Sequence, residues 1–231
     1  VKTIGLVGGM SWESSAEYYR LLNEGVKARL GGLHSARLVL HSVDFAPVEA
    51  MQREGRWDEA GDLLREAVRG LEAAGADFVV LCANTMHKVA DRMMSGARIP
   101  LLHIADAAGE AVRAAGLDTV GLLGTRYTME EAFYRERLEA RHGLRVLVPE
   151  AEDREAINRI IFEELVLGVV SPASRARFLE VADRLARAGA RGIVSGCTEF
   201  GLLVPPDEGP LPIFDTARLH VKAALELALA P

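Results

Sequence analysis

Four short segments of this chain carry side chains able to hold an anion or move a proton. They are Gly8-Gly9-Met10-Ser11-Trp12-Glu13, Cys82-Ala83-Asn84-Thr85-Met86-His87, Gly124-Thr125-Arg126-Tyr127-Thr128 and Gly196-Cys197-Thr198-Glu199. A free cysteine usually ends as a small buried hydrophobe, and Cys82, at the end of an apolar run, fits that fate. Cys197, between a glycine and a threonine, fits a chemical one. A thiol suits proton transfer, since its pKa of about 8.5 can be lowered at a helix N-terminus. A positioned acid or base contributes roughly 10²–10⁴-fold. Asn84, Thr85 and Thr198, with backbone N–H groups, can hold a carboxylate as it gains enediolate character. Inverting an α-carbon without a cofactor needs a base on one face and an acid on the other, a task suited to two related groups.

The elements that must position these turns follow from the hydrophobic pattern. Short apolar runs bounded by Gly, Pro or Asp alternate with amphipathic stretches of helical length, which is the pattern of βα units around a parallel sheet. Strands are expected at Thr3–Val7, Leu38–Val43, Phe78–Leu81, Leu101–Ile104, Val120–Leu123, Leu144–Val148, Gly192–Ser195 and Leu211–Phe214. Helices are expected near 12–29, 57–73, 86–95, 105–115, 128–141, 152–167, 172–189 and 216–229. Ser11 is the expected N-cap of the first helix, and Thr128 with Glu131 has the spacing of a capping box.

The chain also repeats itself. Thr3-Ile4-Gly5-Leu6-Val7-Gly8-Gly9 reads like Thr119-Val120-Gly121-Leu122-Leu123-Gly124-Thr125, 116 residues on. Ala74-Gly75-Ala76 through Cys82-Ala83-Asn84-Thr85 lies over Ala188-Gly189-Ala190 through Gly196-Cys197-Thr198-Glu199, 114 residues on, which sets Cys197 against Ala83 and Gly196 against Cys82. Ile99-Pro100-Leu101-Leu102 matches Leu211-Pro212-Ile213-Phe214, 112 residues on. The repeat implies an α/β fold of two pseudo-symmetric parallel-sheet domains. The first is expected to be discontinuous, 1–98 plus 215–231, and the second to span 99–214. An active-site cleft between the domains is expected where the carboxyl ends of their strands face one another.

Composition narrows the functional classes. With 49% hydrophobic and 26% charged residues, the chain can bury a sizeable core. A formal net charge of -6 supplies no basic field for nucleic acid, so a small solute is the expected partner. No apolar run approaches the ~18 residues of a membrane span. The first strand pattern begins at Lys2-Thr3-Ile4 without a signal-peptide core, which points to a cytoplasmic protein. Two cysteines suit a reducing compartment, and the histidines lack metal-motif spacing, so no metal is expected. A nicotinamide dehydrogenase is suggested by the glycine-rich first turn and Asp44, but the GxGxxG spacing is missing.

The segments GGMSWES at 8–14, NTMHK at 84–88 and GCTE at 196–199, in this order, resemble those of the aspartate/glutamate racemase family, and the resemblance covers essentially the whole chain. It implies racemisation of aspartate and/or glutamate without pyridoxal phosphate or another cofactor, and a homodimer. Carried over by motif, one catalytic cysteine falls on Cys197. The other, which directly precedes Asn-Thr in the family, falls on Ala83, a side chain with no proton to exchange. Some relatives have threonine there. Cys82 stands one residue early and, in an extended strand, points to the opposite face. The resemblance places Met10, Gln52, Asn84, Thr85, Thr125, Thr128 and Thr198 in the substrate site, with Ser11 and Glu199 close by and Glu199 able to meet the ammonium. Arg53 and Arg126 are either readers of a distal carboxylate or solvated charges, and Glu163 and Glu164 either assist proton transfer or face water. Ala83 keeps three alternatives open: an impaired racemase, a one-sided decarboxylase or isomerase of the same superfamily, and an amino-acid-binding variant without activity.

Overall fold

A computed structural model describes residues 1–205 and 208–230, in which two four-stranded, all-parallel sheets each carry their own core. The first unit contains β1 (Ile4–Gly8), α1 (Trp12–Leu30), β2 (Leu38–Ser42), α2 (Phe45–Arg53), α3 (Trp57–Ala73), β3 (Phe78–Leu81), α4 (Ala90–Met93) and β4 (Leu101–Leu102). The second contains α5 (Ile104–Ala114), β5 (Thr119–Gly124), α6 (Arg126–Glu130), α7 (Ala132–His142), β6 (Arg145–Leu147), α8 (Ala151–Glu163), α9 (Pro172–Arg187), β7 (Ile193–Gly196), α10 (Phe200–Leu203) and β8 (Ile213–Asp215). The last helix, α11 (Thr216–Leu229), leaves the second unit at Leu219 and rejoins the first from His220 onward. The other crossing lies between His103 and Ile104. β4 pairs with β3 and β8 with β7, so each of these short strands completes its own sheet ahead of the crossing that follows it.

Strand order is β2-β1-β3-β4 in one sheet and β6-β5-β7-β8 in the other. Registers agree as well. Val7 lies opposite Leu81 in the first, and Leu123 opposite Ser195 in the second. These pairs are related by the offsets of 116 and 114 found in the sequence, so Ala83, two residues beyond Leu81, is the topological counterpart of Cys197, two residues beyond Ser195.

Central strands of parallel sheets are covered on both faces and read as continuous apolar runs, and β1 is buried throughout. In the second unit the two faces are easily told apart. Leu123 and Ile193 join Phe178, Val181 and Leu185, whereas Val120, Leu122 and Val194 join Tyr134 and Leu138, the alternation a pleated strand requires. Helices pack by matching stripes. On α1 the buried Tyr18, Leu22 and Val26 recur every four residues after a Ser11 cap, whose side chain accepts from the Ser14 N–H at 3.3 Å. On α9, Ser171 caps and Pro172 occupies the first turn.

Three local expectations differ from the structure. The stretch near 86–95 is a 3-10 turn, Thr85–Val89, followed by the short α4. The stretch near 128–141 is two helices, because Thr125 rather than Thr128 caps α6, its hydroxyl accepting from the Thr128 N–H at 3.3 Å. Glu131 becomes the cap position of α7, where its side chain makes no capping hydrogen bond, and Thr128, inside α6, is not the cap that the expected capping box needs. Finally, α2 was not anticipated. Asp44 starts it, accepting from the Ala46 N–H at 3.2 Å, and Pro47 is harmless in a first turn.

Candidate active site

In the second unit, β5 and β7 end side by side at Gly124 and Gly196, which are register partners. A side chain at Gly124 would place its Cβ 2.8 Å from the Gly196 carbonyl oxygen and 3.1 Å from Cβ of the fully buried Thr128. Gly124 is thus required for the strands to end this close beneath Thr128, and a Cβ at Gly196 would be tight, 3.0 Å from the Leu123 carbonyl oxygen. Thr125 lies above them, its hydroxyl 3.3 Å from that of Thr128.

Cys197 follows directly. It is 6% exposed, and its thiol donates to Glu199 Oε2 at 3.0 Å. The Thr198 hydroxyl donates to the same oxygen, also at 3.0 Å. Burial pushes the Cys197 thiol well above its ordinary pKa, and the negative charge of Glu199 together with the hydrogen bond pushes it further. The lowering that a helix N-terminus can supply does not prevail at this thiol. The following helix, α10, is four residues long, and a carboxylate in contact outweighs what it can offer. The resting residue is a neutral thiol with a proton acceptor already in place.

In the first unit the corresponding turn carries no such pair. Val79, Leu81 and Ala83 belong to one apolar cluster with Met10 and Met86. Cys82 alternates to the other side of the strand, is fully buried, and is pushed far up in pKa by burial alone. Asn84 and Thr85 are buried at the start of the 3-10 turn. Gln52, on the unanticipated α2, is also buried and donates to the Met86 sulfur at 3.0 Å. The first unit therefore brings Met10, Gln52, Ala83, Asn84 and Thr85 to the ends of β1 and β3, and the second brings Thr125, Thr128, Cys197, Thr198 and Glu199 to the ends of β5 and β7.

Ser11 is occupied as a helix cap. The residue that shapes the glycine-rich turn is Ser15, which sequence reading missed: its hydroxyl accepts from the Gly9 N–H at 2.8 Å and donates to the Ser11 carbonyl at 3.0 Å. Gly9 has φ +95°, and a Cβ there would lie 2.1 Å from the Val43 carbonyl oxygen. The adjacent glycines were the available signal. Glu13 Oε2 is a buried acceptor without a hydrogen-bond partner among the described residues.

The remaining charged residues are held elsewhere. Arg53 is exposed and pairs with Glu49 on its own helix at 2.9 Å. Arg126 lies over the Tyr127 ring, and its backbone N–H is held by Asn158. Glu164 accepts from Ser174 Oγ at 2.6 Å, and Glu163 is exposed beside it in a surface groove between α8 and α9. Among the described residues, no group of three or more His, Cys, Asp or Glu side chains is placed to hold a metal ion, and no helix is long and apolar enough to cross a membrane.

Comparison with known proteins follows the same outline. The profile of the family described as Asp/Glu/Hydantoin racemase matches residues 7–224. The crystal structure of a candidate Asp/Glu racemase from Yersinia pestis is 51% identical, spans 99% of this chain and 100% of that one, and superposes with a TM-score of 0.91. An aspartate racemase homologue from Pyrococcus horikoshii OT3 is 33% identical over 99% of both chains, with a TM-score of 0.84. The aspartate racemase of Picrophilus torridus, at 17% identity over 98% of this chain and 94% of that one, shares the fold with a TM-score of 0.77.

Proposed function

Because the chain belongs to the Asp/Glu/hydantoin racemase family, we propose that it is a cofactor-independent racemase of an acidic amino acid, aspartate and/or glutamate, in which Cys197 is the acid and base at one face of the α-carbon. The observation that carries this reading is the Cys197–Glu199 contact at 3.0 Å, placed at a strand end whose topological counterpart is Ala83.

The chemistry follows from the resting protonation. To act as a base, Cys197 first passes its proton to Glu199, and a substrate ammonium near this carboxylate and thiol stabilises the resulting thiolate. The thiolate then takes the α-proton, and the C–H electron pair moves into the carboxylate as an enediolate. Asn84, Thr85 and Thr198 are suited to donate hydrogen bonds to it. Return of a proton by Cys197 restores the starting enantiomer, with solvent hydrogen if the thiol has exchanged. Inversion needs a proton from the other face, where Ala83 offers none, so water must supply it and racemisation is slow relative to exchange.

Deuterium incorporation from D₂O into L- and D-aspartate and L- and D-glutamate tests this directly. Rapid exchange into one enantiomer with sluggish inversion is the expected result, and binding without exchange into either enantiomer would leave an amino-acid-binding protein instead. A second reading is favoured by the apolar company of Ala83, namely Met10 and Met86. One-sided decarboxylation of an α-substituted malonate would lose CO₂ and take its proton from Cys197. Release of CO₂ from malonates, absent α-proton exchange, distinguishes it. We further propose that the protein works in the cytoplasm as a homodimer, a reading supported by its two free thiols and its family resemblance and testable by sedimentation.

A further inference from the structure

Beneath the Ala83 turn lies a group of buried imidazoles to which the proposed reaction gives no part. His87, His103 and His220 are 3%, 6% and 0% exposed. The ring centroids of His87 and His103 are 4.3 Å apart, and those of His87 and His220 6.2 Å.

Their partners assign the tautomers. A carbonyl oxygen only accepts, so His87 donates its Nδ1–H to the Ala83 carbonyl at 2.7 Å, and His220 donates its Nε2–H to the Leu102 carbonyl at 2.8 Å. Neutral His220 then keeps a lone pair on Nδ1, which accepts from the Tyr18 hydroxyl at 3.0 Å. Each end of this network rests on an element that shapes the first unit's turns. Tyr18 lies on α1, which starts at the Met10–Ser11 turn. Leu102 lies on β4, the neighbour of the β3 strand that leads into Ala83.

His87 thus reaches back four residues to hold the carbonyl of the position that corresponds to Cys197. We propose that His87 is a positioning residue for the substrate-binding turn 83–85. By fixing the Ala83 peptide from below, against the packed His103 and His220 rings, it sets the direction in which Asn84 and Thr85 meet the substrate carboxylate. This role rests on the reading above, that an acidic amino acid binds at this turn. A histidine that only fills the core would affect stability and leave substrate affinity alone.

Three substitutions separate these roles. In His87→Asn the amide nitrogen takes the place of Nδ1. His87→Gln moves the amide one carbon further along, and His87→Leu removes the donor. Steady-state α-deuterium exchange should show KM raised roughly ten-fold in the Gln and Leu variants, about the net worth of one hydrogen bond. Under the same conditions kcat should change by less than about three-fold, and the Asn variant should stay within about three-fold of the parent in both. Backbone amide hydrogen exchange, measured without substrate, should show Asn84 and Thr85 less protected in the Gln and Leu variants and parent-like in the Asn variant. Unchanged KM in all three variants of an active parent overturns the proposal, as does equal amide protection of the turn in all of them. A parent that neither exchanges nor binds acidic amino acids ends the racemase reading, and amide protection still decides whether His87 holds the turn.

Discussion

Cys197 sits between two opposing demands. Burial and the Glu199 carboxylate both favour the protonated thiol, yet abstracting an α-proton needs the thiolate. Glu199 meets both demands by being the group that raises the thiol pKa and the acceptor that can relieve it. Replacing Glu199 by Gln removes the anion but keeps the volume, so the pH at which Cys197 becomes reactive toward iodoacetamide should move down, while burial keeps it above that of an open thiol. Exchange activity should nevertheless fall by about 10²-fold, because the proton acceptor is gone. Ala83 makes the opposite prediction. Ala83→Cys supplies a transferable proton where the register sets the counterpart of Cys197, and turnover from L to D should rise about 10²-fold or more in a polarimetric assay. An unchanged rate would show that Ala83 does not limit inversion.

Among the elements, the paired ends of β5 and β7 are the most demanding. Thr128 packs over Gly124 and Gly196, and the backbone leaves no room for a methyl group at Gly124. Gly124→Ala should cost about 1–3 kcal/mol, as overpacking in a close-packed interior does, read from urea denaturation followed by circular dichroism. The turn it would displace carries Thr125 and adjoins Cys197, so exchange activity should fall in the fraction that remains folded. The corresponding turn of the first unit is held differently, by Ser15 and by the positive φ of Gly9. Equal strand order does not impose equal turn chemistry.

For the molecule as a whole, the two crossings of the chain between its units lie next to His103 and His220. Burial lowers His220 from its ordinary value near 6.5 to about 4, because a cation there would lose its hydration. The sign of the linkage follows. Between pH 4 and 6.5 the unfolded chain binds a proton that the folded chain refuses, so stability is full above about pH 6.5 and falls as the pH drops toward 4. The loss amounts to about 3 kcal/mol for this one group. Both tryptophans, Trp12 and Trp57, lie in the first unit, so tryptophan fluorescence reports its unfolding separately from the rest. In urea titrations by fluorescence, the midpoint should fall between pH 7 and 4.5. His220→Gln, which has nothing to titrate, should flatten that slope.

Much of this architecture was legible along the chain. Short apolar runs located the strands and amphipathic stretches the helices, because a parallel sheet covered on both faces needs apolar runs and its crossovers need amphipathic helices. The internal repeat set Ala83 against Cys197, and the strand registers reproduce that pairing. Residues without a periodic signature were harder to read. Asp44 follows the second strand closely, and a cap and a first-turn proline resemble a loop until the following residues are seen to coil. Ser15 was hidden inside a helix, although its hydroxyl is spent on the turn before it. The protonation of Cys197 could not be inferred from spacing at all. Sequence determined that a thiol would stand at that strand end; only the tertiary structure, by burying it and turning the Glu199 carboxylate to within 3.0 Å, decided that the thiol would hold its proton. Desolvation and contact charge depend on what surrounds a group in space, and neither is written in its neighbours along the chain.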